Sequence, residues 1–291
     1  MKLIKPSFKI IEQESGLEGI YKQIEKIGRT CYKSEDKISE GTAKSFVDRM
    51  ITSNHLAMCE HGTIYLKYPI GGIISSIENT HDYLNNPYSK VKEVWEYEKT
   101  DDILGLQYAY VTTNLRVLIE NNWLEDLQYI CEPTENHYRR ISVLFTLDQG
   151  VMREFTRHRA FSFACESTRY CNYFRAKFGN EITFIEPDWL GDTREIDSEA
   201  YDSAYEIFCS AMEEAESYYM MLIENGFKPQ QARNVLPLAT KCDLVMTGFV
   251  DDWSNFFDLR ARGTTGAPHP QAKELAEPLL TEFIKRNYLI L

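Results

Sequence analysis

Between Arg157 and Tyr170 the chain places three arginines (Arg157, Arg159, Arg169), one histidine (His158) and three small hydroxyl residues (Ser162, Ser167, Thr168) within fourteen residues, with Arg153 just upstream. A guanidinium is a planar, permanently charged fork that matches phosphate and carboxylate oxygens. Hydroxyls and backbone N–H groups complete such a site. The chemistry implied is recognition of a phosphorylated ligand. A helical approach would put Arg153 and Arg157 one turn apart on one face.

The opposing reading is a solvated arginine loop held by carboxylate partners, which is how most charge clusters end. Two features weigh against it. Phe161, Phe163 and Tyr170 interleave with the charges, and buried cations need partners. The whole chain carries a formal net charge of −12, so a cationic knot runs against its trend. That acidic balance also disfavours a binder of nucleic-acid backbone, which shows a broad basic footprint.

Three further stretches carry the same kinds of residue. His55 to Thr63 holds Glu60-His61-Gly62-Thr63; Ala232-Arg233-Asn234-Val235-Leu236-Pro237 holds a lone arginine before a proline; Asn255-Phe256-Phe257-Asp258-Leu259-Arg260 ends an apolar helix on an arginine. His55, Cys59 and His61 do not complete a zinc-ligand pattern, and no metal is expected.

The spacing of Arg157, His158, Arg159, Ser162, Ser167, Arg169 and Tyr170 resembles the signature of the flavin-dependent thymidylate synthases, and the other three stretches resemble further motifs of that family in the same order. The resemblance runs from about residue 29 to 285, interrupted over 76–135. It implies reductive methylation of dUMP to dTMP, with methylenetetrahydrofolate as carbon donor and NADPH as reductant through FAD, in a cytoplasmic homotetramer whose sites are shared between subunits. By the resemblance, Arg260 is the catalytic arginine that activates the base. The dUMP contacts are Glu154, Arg157, Cys165, Glu166, Ser167, Thr168, Arg169, Arg233 and Arg260. The FAD contacts are His61, Thr63, Arg157, His158, Arg159, Cys165 and Asn255. Departures are Ala164 and Cys165 in place of polar residues, Glu154 in place of Gln, and Phe249 and Asp251 in place of more polar or basic flavin contacts.

The residues fit that chemistry. C5 of uracil is a poor nucleophile, and a cation held at the O2/N3 edge stabilises the charge that develops as C5 attacks carbon. Positive charge near a flavin favours its reduced anionic form. Two rivals remain at this level. In one, Cys165 is a nucleophile whose pKa falls beside cations and no flavin is used. In the other, the chain is a non-catalytic nucleotide-binding module with arginines for phosphate and aromatics for stacking.

The elements that must position these residues follow from periodicity. Helices are expected over 16–32, 41–53, 115–121 (capped by Asn114), 198–225, 251–260 and 271–285, with a short one after the Asp148-Gln149-Gly150 turn that leads into the arginine motif, and Pro237 ends any helix before it. Strands are expected within 3–12 and over 64–68, 106–112, 139–147, 182–185 and 238–249. Residues 76–102 read as a long polar loop. The fold class is α+β: one domain over 1–291 with a twisted, mostly antiparallel sheet flanked by helices, a long helix in the C-terminal half and an elaboration at 76–135. Seven cysteines without a CxxC pair point to free thiols. The N-terminal residues lack the apolar run of a signal peptide, and no membrane span is expected.

Overall fold

The computed structural model describes residues 1–70, 80–97, 105–191 and 198–289. Its strands are β1 (Lys2–Ile4), β2 (Ser7–Ile11), β3 (Thr63–Pro69), β4 (Lys90–Tyr97), β5 (Gly105–Asn114), β6 (Arg140–Asp148), β7 (Ser162–Cys165), β8 (Thr183–Ile185) and β9 (Lys241–Phe249). Its α-helices are α1 (Gly16–Tyr32), α2 (Thr42–Thr52), α3 (Thr80–Asn85), α4 (Leu115–Glu120), α5 (Gln149–Phe155), α6 (Asp188–Gly191), α7 (Ser198–Glu224), α8 (Pro229–Ala232), α9 (Val250–Phe257) and α10 (Pro270–Lys285). The class is α+β, as expected, with α7 as the long helix. The expected single sheet is resolved into three: β2-β6-β9-β7 and β3-β5-β4 are antiparallel, and β1 pairs with β8 in parallel.

The four-stranded sheet carries the first core. Along β6, Ile141, Val143, Phe145 and Leu147 alternate onto one face and are all buried. This is the period-two pattern of a strand with one face on a core. Phe155, Trp253, Phe256, Phe257, Leu279 and Phe283, from α5, α9 and α10, pack onto that face. The Trp253 indole donates to the Ile141 carbonyl at 3.1 Å, so the largest buried ring leaves no polar atom unmatched.

A second core joins α1 and α2 to the β3-β5-β4 sheet through Ile20, Ile24, Phe46, Ile64, Val111 and Leu118. The region expected to be a polar loop therefore differs from expectation where it is described. It holds α3 and β4, and Tyr83 is fully buried with its hydroxyl donating to Asp126 at 2.8 Å. The remainder of that stretch, 76–79 and 98–102, lies outside the described residues. The charges of Lys90, Lys92, Glu93 and Glu96 hid the strand β4.

Gly248 fixes the arginine-rich segment onto this sheet. A Cβ there would stand 2.6 Å from the ring of Phe161. We expect Gly248→Ala to displace Phe161 and cost about 1–3 kcal/mol of stability, read as a lower urea midpoint. An unchanged midpoint would show that the Phe161 contact is not tight.

Candidate active site

The arginine-rich segment is delivered by a capped helix. Asp148, the last residue of β6, accepts the Val151 amide at 2.8 Å and so closes the first turn of α5. α5 ends at Phe155, and the Arg157 amide reaches back to the Glu154 carbonyl at 3.3 Å. Arg153 is therefore on the helix and Arg157 is on the turn after it, so the pair does not share a helix face as expected. Phe161 then anchors the turn, its ring edge-on to Trp253 at 4.7 Å, and β7 pairs with β9 from Ser162 to Cys165.

Arg260 meets this turn from the other side. α9 runs into a single π-helical turn, Asp258–Arg262, and such turns redirect side chains at functional sites. Arg260 Nη1 bonds Glu154 Oε2 at 2.6 Å, Nη2 donates to the Glu154 carbonyl at 3.0 Å, and Nε donates to His158 Nε2 at 3.1 Å. His158 must therefore be neutral with its proton on Nδ1. Burial, with the Arg260 charge adding to it, lowers its pKa to about 4.

A groove of about 390 Å³ opens beside α5, lined by Gln149, Arg153, Thr168, Arg233, Asn234 and Pro237 among others. Arg233 Nη1 donates to Thr168 Oγ1 at 3.5 Å, and Arg169 Nε donates to Gln230 Oε1 at 3.3 Å. Among the described residues, no carboxylate lies within ion-pair distance of Arg153, Arg157, Arg159, Arg169 or Arg233. The solvated-loop reading required such partners. Gln149 and Arg153 were not among the expected site residues. The one sequence signal was the proximity of Arg153 to the motif.

The rest of the motif is held by backbone and by ion pairs. The Ser167 amide donates to the Cys31 carbonyl at 3.0 Å. Glu166 is buried and takes Lys241 at 2.7 Å, while Lys241 and Lys33 also bind Asp243. Its carboxylate is committed to these lysines. Cys165 is half-buried, and burial alone pushes its thiol up to about 11. It is a thiol at neutral pH, without the cationic assistance that a nucleophile there would need.

The expected flavin contacts do not all fall together. Arg157 and Arg159 are exposed beside His158, and Asn255 is exposed on α9. His61 and Thr63 are buried at the start of β3. His61 Nδ1 pairs with Thr247 Oγ1 at 2.8 Å, Thr247 with Ser142 at 2.7 Å, and Ser142 with Gln23 at 3.1 Å. His61 Nε2 has no partner among the described residues. Burial first, then the nearby Arg140 charge, lowers the His61 pKa to about 3. Among the described residues, no group of three or more His, Cys, Asp or Glu is placed to hold a metal ion, and no helix is long and apolar enough to cross a membrane.

This sheet and the arginine segment on it coincide with a recognised family. Residues 137–286 match the family described as thymidylate synthase complementing protein, and the chain belongs to that family. Among curated proteins, a flavin-dependent thymidylate synthase of Haloarcula marismortui is 31% identical over 127 residues, covering 40% of this chain and 51% of that protein. The one of Halobacterium salinarum is 28% identical over 165 residues, covering 50% of this chain and 66% of its own length. The chain thus spans between half and two thirds of these relatives. A solved UMP/dUMP methylase, PolB of Streptomyces cacaoi, bound with 5-Br dUMP, superposes over 98% of this chain and 93% of its own, with a TM-score of 0.47 and 17% identity.

The buried His61 and the half-buried His158 imidazoles both titrate below the ordinary histidine value of 6.5. Between that value and about 4, the unfolded chain takes up protons that the folded chain refuses, so these groups lower stability as pH falls. We expect the urea midpoint of His158→Gln to drop less steeply from pH 7.5 to 4.5 than that of the wild type. Parallel profiles would contradict the burial of a neutral His158.

Proposed function

We propose that this chain is an FAD-dependent thymidylate synthase, converting dUMP to dTMP with methylenetetrahydrofolate as carbon donor and NADPH as reductant. The observation that carries the reading is the meeting of Arg260, Glu154 and His158 beside a groove of unpaired arginines, in a chain belonging to this family. The pyrimidine edge has an acceptor at O2 and a donor at N3. Arg260 and Glu154 present the complementary donor and acceptor side by side. Substrate would exchange their 2.6 Å ion pair for two bonds to the base.

In this reading Arg260 is the catalytic residue, because its charge stabilises the negative charge that grows on the pyrimidine as C5 attacks carbon. The 5′-phosphate is held in the groove by Arg233, Arg153 and Thr168, with Arg169 and the Ser167 segment at its margin. Neutral His158 fixes the Arg260 fork. Glu166 and Cys165 support the binding segment from beneath.

The donor set also fits FAD. Arg157 and Arg159 are exposed cations without carboxylate partners, suited to an anionic diphosphate or reduced ring. Asp251, which stands where the family resemblance implies a basic contact, is neutralised by Lys90 at 2.6 Å. His61, Thr63 and Asn255 complete the proposed cofactor contacts. When bound, the flavin would supply the reducing equivalents drawn from NADPH. These contacts divide between exposed and buried positions, which supports a homotetramer with shared sites, and α7 leaves Ile207, Tyr218 and Met221 exposed for such an interface. We read residues 1–291 as one domain working in the cytoplasm.

The test is dTMP formation from dUMP, methylenetetrahydrofolate and NADPH, with and without added FAD. FAD-dependent product is expected, and product without any flavin would overturn the reading. Arg260→Ala should lower kcat by about 10²–10³ while dUMP still binds. Arg233→Ala should instead weaken dUMP binding by about tenfold or more, measured by isothermal titration.

A further inference from the structure

Arg140 is a buried cation without an anion. It opens β6, is 9% exposed, and stands opposite Phe249, whose ring centre lies 5.6 Å from its guanidinium carbon. A guanidinium has five N–H bonds to place. Nη1 donates to the Glu60 carbonyl at 3.1 Å and to Thr63 Oγ1 at 3.3 Å, and the buried Nε has no partner among the described residues. The neighbouring acids are engaged elsewhere. The Glu60 carboxylate bonds Arg116 at 2.6 Å, and the Asp252 carboxylate accepts the Phe249 amide at 3.1 Å. Burying a charge without a counter-charge is strongly unfavourable, and the lowering of the Arg140 pKa to about 10, chiefly by burial, agrees.

Arg140 lines a cavity of about 150 Å³ together with Gln13, Gln23, Thr63, Arg139 and Ser142. That is well above the roughly 10–15 Å³ a single water requires. The cavity walls are otherwise satisfied. Gln13 bonds both the amide and the carbonyl of Thr63, at 2.9 and 2.8 Å, and Gln23 donates to Ser142. Three carboxylates line the same cavity: Glu12 bonds Arg286 at 2.6 Å, Glu14 bonds Lys22 at 2.7 Å, and Glu132 accepts the neutral Ser15 hydroxyl at 2.7 Å and keeps its charge. Arg139 has no carboxylate within ion-pair distance among the described residues. Arg140 is the buried cation of the pair and Arg139 the exposed one, so an oxyanion in the cavity would meet both forks. None of these residues lines the groove at Arg153 and Arg233.

We propose that this cavity is a second oxyanion site, built on Arg140, that takes a phosphate group. The site shares Thr63 with the proposed cofactor contacts, but its oxyanion chemistry rests on Arg140 and does not require the reaction proposed above.

The test uses the full chain carrying Arg233→Ala, so that the groove does not dominate. Inorganic phosphate is titrated against chloride at matched ionic strength by calorimetry. Saturable binding is expected, weakened at least about tenfold by Arg140→Gln and less by Arg140→Lys, which keeps the charge and loses the fork. A soak of wild-type crystals with tungstate, a phosphate mimic with a strong anomalous signal, decides the matter even if Arg140→Gln does not fold. A peak beside Arg140 supports the site. No saturable phosphate binding, or no peak there, overturns it. Flavin mononucleotide compared with riboflavin then assigns the source. A preference for the phosphorylated form that Arg140→Gln abolishes gives the phosphate to a flavin, and equal affinities with phosphate still bound give it to the free ion.

Discussion

The antiparallel pairing of β6 with β9 is the constraint on which the rest of the site depends. Its register runs from Arg140 opposite Phe249 to Asp148 opposite Lys241. The helix that leads to the arginine segment leaves one end of this pair, and the helix that carries Arg260 leaves the other. α9 and its π turn cover Val250 to Arg262, so the chain doubles back by roughly 20 Å. That return brings Arg260 onto Glu154, 106 residues away in sequence. The aromatic cluster of Phe155, Phe161, Trp253 and Phe256 locks the two helices at that separation, because packed rings leave little room for sliding.

On this frame the chain separates its charges into two kinds. Lysines 33 and 241 are balanced by Glu166 and Asp243, a compact set that ties α1 and β9 to the segment after β7. The arginines of the motif are left unbalanced, in a protein whose net charge is −12. An acidic chain could supply carboxylates to every exposed arginine. Among the described residues, the five arginines around the groove have none, as is also true of the exposed Arg49, Arg139 and Arg175, and those five put positive potential where an anionic ligand would enter. Arg260 is the intermediate case: its ion pair with Glu154 is partly exposed and can open in exchange for a ligand with the same pattern of donor and acceptor.

Much of this was legible in the sequence. α1 begins and ends where its isoleucine stripe predicts, the Asn114 cap lies at the head of α4, and the alternation of β6 marks its buried face. What was not legible came from long-range partners or weak patterns. β7 buries only Ser162 and Ala164, too little apolar surface to read as a strand, and exists because β9 offers it an edge. β4 carries charges on both faces and read as loop. The salt bridge of Lys33 with Asp243 spans 210 residues, and no local rule announces it. Arg140 at a strand start reads as a surface residue. Its burial follows from Phe249 above it and the Thr63 segment beside it. The motif residues Cys165 and Glu166 were legible as positions, while their environments, an apolar wall for one and two lysines for the other, were not.

The central claim is that one site in this chain holds a flavin and a pyrimidine nucleotide against each other. The most direct measurement is the visible absorption spectrum of the purified protein after soaking with FAD and desalting, before and after adding dUMP. Retained flavin whose bands shift on addition of dUMP, with the shift lost in Arg260→Ala, is the predicted result. Retained flavin with an unmoved spectrum, while calorimetry shows dUMP bound, would place the two ligands in separate sites and contradict the account.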